Sequence, residues 1–401
     1  MRHLHGSCAL CLALAAAMTA GCHRGHQGSD SSASTPGPTP TPTPTSVPPE
    51  IVKVADPIQG DTTWQQGKVY VIQGPIAVNA TLTVEQCAVV KFDGATAGLD
   101  VGANGKIVAD GVADCPVVFT SIKDDAHGGD TNGDGTATAP ARRDWRSVVL
   151  AAEAADGSTF RHAEFLYAGA KGAAADAKAA ALEVRAKGTL VDGCTFAHDG
   201  GGTLESPGGA LDAGQAPAAT TVTGTAFFDD DMPIVISQAM SLDGSNDFHD
   251  PAAGATSPAS TYSGIFVAEG AGFTGQVAWG ETEVAYVMPL SAAATVVSAS
   301  ATLTLGSGVV VKLPANGRIL VDGVLKVLGT AGTDRPVVFT SIADDTRPTD
   351  PSDTDGAKVD PATVKWGAIY LLSSGGPHID GQNLSCANYS QEPQSCVQTS
   401  P

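Results

Sequence analysis

The chain repeats a long stretch of its own sequence, and this internal similarity restricts the fold more than any other feature. Residues 80–92 read ATLTVEQCAVVKF and residues 301–313 read ATLTLGSGVVVKL. Residues 116–125 (PVVFTSIKDD) and 336–345 (PVVFTSIADD) are identical at nine of ten positions. A repeat of this kind is typical of architectures in which one structural unit stacks on another.

The tryptophans support the same alignment. They fall into two aligned pairs, Trp64 with Trp279 and Trp145 with Trp366. We therefore place the two copies at about 62–150 and about 277–372.

Each copy is a series of short β-runs, such as TLTV, AVVKF, KIVAD and PVVFTSI, separated by Gly, Asn, Asp and Pro. Such runs predict strands. The Ala-rich stretch 172–186 has helical propensity, but we interpret it as a loop leading into a strand at 182–184. A β-sandwich would need turn signals every 8–12 residues with hairpin connections, and two-residue hairpin turns are few in this chain.

The middle of the chain carries a second period. Phe165, Phe196, Phe227 and Phe248 follow one another at spacings of 31, 31 and 21 residues. One aromatic residue per 20–30 residues suits a solenoid, because like residues of successive coils then stack inside it.

These motifs, together with VDGCTFAHDGGGTLESPGGA at 191–210, carry a resemblance. The body, 50–401, resembles the right-handed parallel β-helix repeat proteins of bacterial surfaces, with Asp199 where that group commonly has Asn. The resemblance implies an all-β fold, a right-handed parallel β-helix with two homologous copies. It does not settle function, since such coils occur in adhesins, lyases and hydrolases alike.

The N-terminus predicts export. Residues 1–21 form a signal peptide whose apolar run is too short to span a bilayer, and it ends in Thr-Ala-Gly before Cys22. This resembles a bacterial lipobox, which implies a lipidated Cys22 and, with His23 next, an outer-membrane lipoprotein facing the periplasm or the cell surface. An ordinary cleaved secretory signal is the alternative. Residues 22–49 are rich in Ser, Thr and Pro and predict a disordered tether.

Charge excludes some partners. Lys plus Arg is 22 and Asp plus Glu is 42, which gives a formal net charge of −20. A nucleic-acid-binding protein needs a basic face that replaces counterions, so we expect no nucleic-acid partner.

The cysteines predict disulfides. Removal of the signal peptide and lipidation of the next cysteine leave five of the eight. Cys87 and Cys115 are both missing from the second copy, as expected if they are bonded to each other. Cys386 and Cys396 are expected to close a loop that covers one end of the solenoid, and segment 51–66 to cover the other. Cys194 remains as a small buried residue.

An acidic loop follows each PVVFTSI strand. The sequence Asp-x-Asn-x-Asp-Gly presents oxygen side chains on alternate residues, as Ca²⁺ prefers. The predicted ligands are Asp124, Asp125, Asp130, Asn132 and Asp134 in the first copy and Asp350, Asp353 and Asp355 in the second. The loop is not an EF-hand, because the twelfth position is Ala141. We expect a structural calcium ion, and the alternative is a solvated turn without one.

Other polar groups are weaker candidates. Paired carboxylates can cleave glycosides, so Asp229, Asp230 and Asp231 are the catalytic candidates, with an exposed turn as the more ordinary interpretation. His162, His198 and His249 lie near the Phe landmarks at unequal offsets, which favours surface histidines.

Three arginines surround one tryptophan at Arg142, Arg143, Trp145 and Arg146. Such a cluster could hold an acidic glycan by charge and stacking, although a structural role for the tryptophan is the more ordinary interpretation.

The sequence thus favours a non-catalytic lipoprotein whose β-helix binds an extracellular polysaccharide or a surface protein, anchored in outer-membrane lipid. A polysaccharide lyase or hydrolase, or a purely structural envelope protein, are the alternatives. An enzyme would need acid, base and cation on one face across adjacent coils, and no sequence motif displays such a set.

Overall fold

The computed structural model describes residues 49–173, 178–253, 258–291, 293–329, 335–348, 354–372, 378–390, 392 and 394–399. The predicted signal peptide, Cys22 and almost all of the tether lie outside these residues, as do Asp350 and Asp353. Within them, the regular structure is 32 strands and one short 3-10 helix, Pro361–Thr363. This part of the chain contains no helix that is long and apolar enough to cross a membrane.

The strands of the described residues form five sheets, which we name A to E. Sheet A contains β1 (Ile51–Val54), β3 (Val69–Ile72), β6 (Val89–Phe92), β9 (Val117–Ser121), β12 (Ala163–Leu166), β15 (Thr195–Ala197) and β18 (Ala226–Phe228). Sheet B contains β4 (Pro75–Val78), β7 (Gly98–Val101), β10 (Val148–Leu150), β13 (Leu182–Val184), β16 (Leu211–Ala213), β19 (Ile234–Ile236), β20 (Ile265–Val267), β22 (Tyr286–Val287), β25 (Val310–Leu313), β28 (Val337–Ser341) and β31 (Leu384–Cys386). Sheet C contains β2 (Thr62–Trp64), β5 (Thr81–Glu85), β8 (Lys106–Asp110), β11 (Thr159–Arg161), β14 (Leu190–Asp192) and β17 (Thr221–Thr223). Sheet D contains β21 (Gln276–Trp279), β24 (Thr302–Leu305), β27 (Val324–Leu328) and β30 (Ile379–Gln382). Sheet E contains β23 (Thr295–Val297), β26 (Ile319–Val321), β29 (Ile369–Leu371) and β32 (Val397–Thr399).

Every pairing between these strands is parallel. From β3 the chain passes through sheets A, B and C in turn, and β6 then adds to sheet A beside β3. Each coil thus pairs with the coils before and after it, at the spacing of about 4.8 Å between neighbouring strands. This architecture is a parallel β-helix, as the repeats predict.

Side-chain alternation explains why short apolar runs suffice for each coil. In β5, Leu82 and Val84 point inward and are fully buried, whereas Thr81 and Thr83, which alternate with them, face outward. Alternate residues of a strand point to opposite faces, so two apolar residues per strand fill the core.

The two sequence copies do not occupy the same faces. Strands β6 and β9 of the first copy lie in sheet A, but their counterparts β25 and β28 lie in sheet B. The change occurs between the copies: sheet A ends with a bridge from Ala226 to Asp247, and sheet E begins with a bridge from Phe273 to Val297. Equivalent residues of the two copies therefore do not form one continuous column.

The predicted row of phenylalanines is present and is longer than expected. Phe165 stacks on Phe196 at 4.8 Å between ring centroids, Phe196 on Phe227 at 5.2 Å, and Phe227 on Phe248 at 5.5 Å. Phe119 of the first copy extends the row, 4.9 Å from Phe165. Stacked rings add to the free energy gained by burying their apolar area.

Two disulfides are present among the described cysteines, Cys87–Cys115 with Cα atoms 4.8 Å apart and Cys386–Cys396 with Cα atoms 6.3 Å apart. The second lies in the last coil, where β31 and β32 end sheets B and E. Cys194 is a buried free thiol, and burial raises its pKa to about 12. This thiol is therefore uncharged and unreactive at neutral pH.

The phenylalanine row predicts the effect of a core truncation. Phe196→Ala removes the ring that contacts Phe165 and Phe227 and should lower the free energy of unfolding by about 3–5 kcal/mol. Urea denaturation of the full chain, followed by circular dichroism, measures this change. Leu328→Ala is the control, because Leu328 is 46% exposed and its loss should cost less than about 1 kcal/mol. Equal losses in the two variants would contradict the assignment of the row to the core.

Candidate functional site

A lysine recurs at the same position of both copies, and both side chains are fully buried. Lys91 lies on the outward face of β6, where Nζ donates to the carbonyl oxygens of Asp124, at 2.7 Å, and Gly129, at 2.6 Å. Lys312 of β25 donates to Oγ1 of Thr354. The acidic loop after β9 therefore folds back over sheet A, with a buried ammonium group beneath it.

Asp124 fixes the beginning of this loop. Its Oδ2 accepts a hydrogen bond from Oγ1 of Thr120 and lies 2.7 Å from Nδ1 of His127. Burial opposes ionisation, but the bonds with His127 and Thr120 outweigh it and lower the pKa of Asp124; the same contact raises the pKa of His127. The second copy repeats the bond, from Thr340 to Asp344.

The tip of the first acidic loop is closed by its own hydrogen bonds. The two carboxylate oxygens of Asp130 accept from the backbone N–H groups of Gly133, at 2.7 Å, and Gly135, at 2.9 Å. Nδ2 of Asn132 donates to Oδ2 of Asp134 at 3.0 Å. These are the bonds of a tight Asx-type turn.

The predicted calcium ligands of the first loop therefore contact different parts of the protein. Asp124 is bound to sheet A, Asp125 is half-buried beside it, and Asp130 and Asp134 close the tip. Among the described carboxylates, imidazoles and thiols, no three from this loop bring their ligand atoms within 4.8 Å of one another. In the second copy, Asp355 is the described member of the predicted set. Calcium at these loops stays a prediction.

Residues that the sequence suggests separately come together at the corner after sheet A. Nη2 of Arg142 lies 2.6 Å from Oδ1 of Asp229, and Arg143 pairs with Asp231. Nδ1 of His198 lies 2.6 Å from the other oxygen of Asp229. The cluster joins acids, an imidazole and cations across adjacent coils, but its charges are paired with one another.

The remaining sequence candidates lie elsewhere. Trp145 is fully buried and stacks on Phe92 at 4.0 Å, so it cannot offer a face to a sugar. Arg146 pairs with Asp100 at 2.7 Å. His249 contacts Glu283 and is considered below.

Behind the arginine cluster, buried aspartates form a ladder from coil to coil. Oδ1 of Asp199 accepts from the N–H of Ala168 at 2.6 Å, and Oδ1 of Asp230 accepts from the N–H of Asp199 at 2.9 Å. Oγ of Ser260 accepts from the N–H of Asp230 at 3.3 Å. Asp230 is fully buried and does not lie in the exposed turn that its sequence suggested, because its carboxyl group satisfies a buried backbone N–H.

This ladder carries an electrostatic cost. The second carboxyl oxygens of Asp199 and Asp230 are buried, and no described residue forms a hydrogen bond with them. Burial raises the pKa of both groups well above the usual range, and the nearby Arg142 opposes the rise. Both carboxyl groups therefore favour the neutral acid in the folded chain.

The ladder predicts a pH dependence of stability. Folding raises the pKa of Asp230, so the stability contributed by its neutral carboxyl group is fully present below the unfolded pKa of about 3.9. This stability is lost as the pH rises through the pKa of the folded state. Asp230→Asn removes the ionisable group. The melting temperature of this variant minus that of wild type should therefore increase as the pH rises from about 4 to about 7. Differential scanning fluorimetry measures this, with the exposed Asp243→Asn as control. A difference that stays constant with pH would argue against a buried neutral acid.

A groove of about 630 Å³ lies on the outer face of sheet B. Its floor is Val235, Phe266 and Val287, which are direct neighbours on three successive strands. Leu204 and Leu290 pack against this floor from the sides. The polar and charged residues that line the groove, other than Asp212, are Lys178, Glu205, Ser206, Gln215, Glu269 and Ser291.

Two acids extend the same outward column beyond the floor. Glu183 on β13 is the register partner of Asp212 on β16. Nε of Arg185 donates to Oε1 of Glu183 at 2.8 Å. Asp212 is 3% exposed; its Oδ1 accepts from the N–H of Gly214, and its Oδ2 has no hydrogen-bond partner among the described residues. Burial, and then the charge of Glu183, raises the pKa of Asp212 to about 6.

No catalytic or binding motif in the sequence singles out these two acids. A signal is nevertheless present in Leu-Glu-Val at 182–184 and Leu-Asp-Ala at 211–213. An acid at the centre of a short apolar run, repeated one coil later, marks the outward position of a buried strand. The pairing of these runs on neighbouring strands is a product of the coil geometry.

The fold and the groove on one sheet face define the protein as a parallel β-helix solenoid. Residues 56–138 are similar to the family described as a pectate-lyase like beta helix domain. No curated protein and no solved structure was found to match the chain. The family match covers most of the first copy and supports the fold, without distinguishing a binding protein from an enzyme.

Proposed function

We propose that this protein binds an extracellular polysaccharide in the groove on sheet B. The observation that carries the proposal is the groove itself, an apolar floor with carboxyl groups and hydrogen-bonding side chains around it. Its volume of about 630 Å³ lies within the range of small-molecule sites, which combine apolar walls with a few polar groups. Sugar rings present both apolar C–H faces and hydroxyl groups to such a surface.

Charge narrows the class of polysaccharide. Asp212, Glu205 and Glu269 line the groove, with Lys178 as the one cation among its lining residues in the described part of the chain. A polyuronate would bring like charge to this surface, and the chain as a whole carries −20. A neutral or amine-bearing glycan is therefore the proposed ligand.

Hydrolysis of that glycan is the second candidate, and the two acids favour it. Glu183 is paired with Arg185, whereas Asp212 has its pKa raised to about 6. Neighbouring carboxyl groups with unlike environments are the pattern of a general acid beside a nucleophile or base. Asp212 would donate the proton to the leaving oxygen. A lyase has less support, because eliminating enzymes act on uronates.

A charge-reversal experiment tests the proposed ligand class. Full chain is titrated with soluble chitosan oligosaccharides, a neutral β-glucan and polygalacturonate, with calcium and with chelator. We expect binding of the amine-bearing or neutral glycan. Glu205→Lys and Glu269→Lys together should weaken chitosan binding about tenfold, or ~1.4 kcal/mol, because two attractive charges become repulsive.

Glu153→Lys is the matched control, since Glu153 is exposed and does not line the groove. Product release that is lost in both Asp212→Asn and Glu183→Gln would favour the hydrolase over the binding protein. Equal weakening by the control, or tighter binding of polygalacturonate than of the other glycans by the unaltered chain, would overturn the groove assignment. Absence of any binding would leave the structural envelope role.

We further propose that lipidated Cys22 anchors the protein in the outer membrane. The proposal rests on the Thr-Ala-Gly-Cys sequence and on the Ser/Thr/Pro tract that follows it. Cys22→Ala expressed in a bacterial host should move the protein from the detergent-soluble membrane fraction to the soluble exported fraction. Immunoblots of these fractions measure the shift. Cys8→Ala is the control, and an unchanged distribution of Cys22→Ala would contradict lipid anchoring.

A further inference from the structure

A polar cluster lies where sheet A ends between the two copies. Asp247 bridges to Ala226 as the last pairing of that sheet, and His249 follows two residues later. Glu281 and Glu283 come from the loop between β21 and β22. The cluster therefore joins two segments more than thirty residues apart, at the point where the faces of the β-helix change.

Its geometry is that of a ligand set. One ligand atom from each of Asp247, His249 and Glu283 lies within 4.8 Å of the others. Nδ1 of His249 is 2.6 Å from Oε1 of Glu283. The backbone N–H of Phe248 donates to the other oxygen of Glu283 at 3.0 Å. Glu283 is thus held in place by the strand end that carries the other two groups.

A second observation points to a cation-binding site. Glu281 is only 3% exposed, and its Oε2 is buried without a hydrogen-bond partner in the described part of the chain. Its other oxygen, Oε1, accepts from the backbone N–H groups of Thr282, at 2.7 Å, and Glu283, at 2.8 Å, so the carboxyl group is held beside the ligand set. Among the described residues, no lysine or arginine forms an ion pair with Asp247, Glu281 or Glu283. A buried carboxyl oxygen needs a partner, and a cation held by the neighbouring ligand set would supply one.

We propose that Asp247, His249 and Glu283 bind a divalent transition-metal ion, with Zn²⁺ as the best-fitting representative. One imidazole and two carboxylates are ligands that Zn²⁺ accepts at about 2.0–2.2 Å. Calcium takes oxygen ligands throughout, so the imidazole selects against it. The ion joins the end of sheet A to the loop before β22 and is therefore structural, because it links the segment between the two copies to the second copy at the change of face.

Zinc titration of the full chain, without a polyhistidine tag, tests the proposal. Four histidines precede residue 27 and offer zinc ligands of their own, so the measured quantity is the stoichiometry lost on substitution. His249→Gln and Glu283→Gln should each bind one equivalent of zinc fewer than wild type. Calorimetry, and metal analysis after dialysis, measure this stoichiometry. Zinc should also raise the melting temperature of wild type more than that of either variant.

Glu153→Gln is the matched control, an exposed carboxylate far in sequence from the cluster. Cobalt substitution gives a direct signature, since visible absorption from an imidazole–carboxylate site should be present in wild type and reduced in both variants. Unchanged zinc stoichiometry in the variants, or a larger melting shift with calcium than with zinc, would overturn the proposal. These measurements do not depend on glycan binding, so they test the metal site independently of the groove assignment.

Discussion

Backbone hydrogen bonding between consecutive coils is the constraint on which the rest of this structure depends. Because each strand pairs in parallel with its counterpart one coil away, side chains at equivalent positions stack at about 4.8 Å. Inside the β-helix this produces the row of rings through Phe165, Phe196 and Phe227. Outside, the same register sets Glu183 beside Asp212. One geometric rule therefore builds both the core and the candidate site.

Stacking like on like is favourable for apolar residues and costly for charged ones. The chain meets this cost in several ways. Asp199 and Asp230 are buried where the neutral acid is favoured, and each uses one oxygen to satisfy a backbone N–H. Lys91 is covered by carbonyl oxygens of a loop. At the groove, Glu183 forms an ion pair with Arg185, and burial raises the pKa of the neighbouring Asp212.

These differences separate structural polar groups from candidate functional ones. The corner after sheet A gathers acids, arginines and an imidazole, but Arg142 and Arg143 are both engaged by carboxylates. The first acidic loop lies over Lys91 on the outer face of sheet A. Sheet B instead presents an apolar floor with a buried, unpartnered oxygen of Asp212 at its edge. The proposed binding site is therefore on sheet B, and the proposed metal site has a structural role.

The sequence by itself determined the class of fold, because short β-runs, a long repeat and the spacing of Phe165, Phe196 and Phe227 are properties of a linear pattern. It also indicated the two disulfide pairs. The sequence did not predict that equivalent strands of the two copies lie in different sheets. That placement depends on how the chain between the copies completes each coil. The arginine–aspartate contacts join residues almost ninety positions apart. Only the tertiary structure decided that Glu183 meets Asp212 and that Asp230 is buried, because proximity across coils is set by backbone register rather than by any local motif.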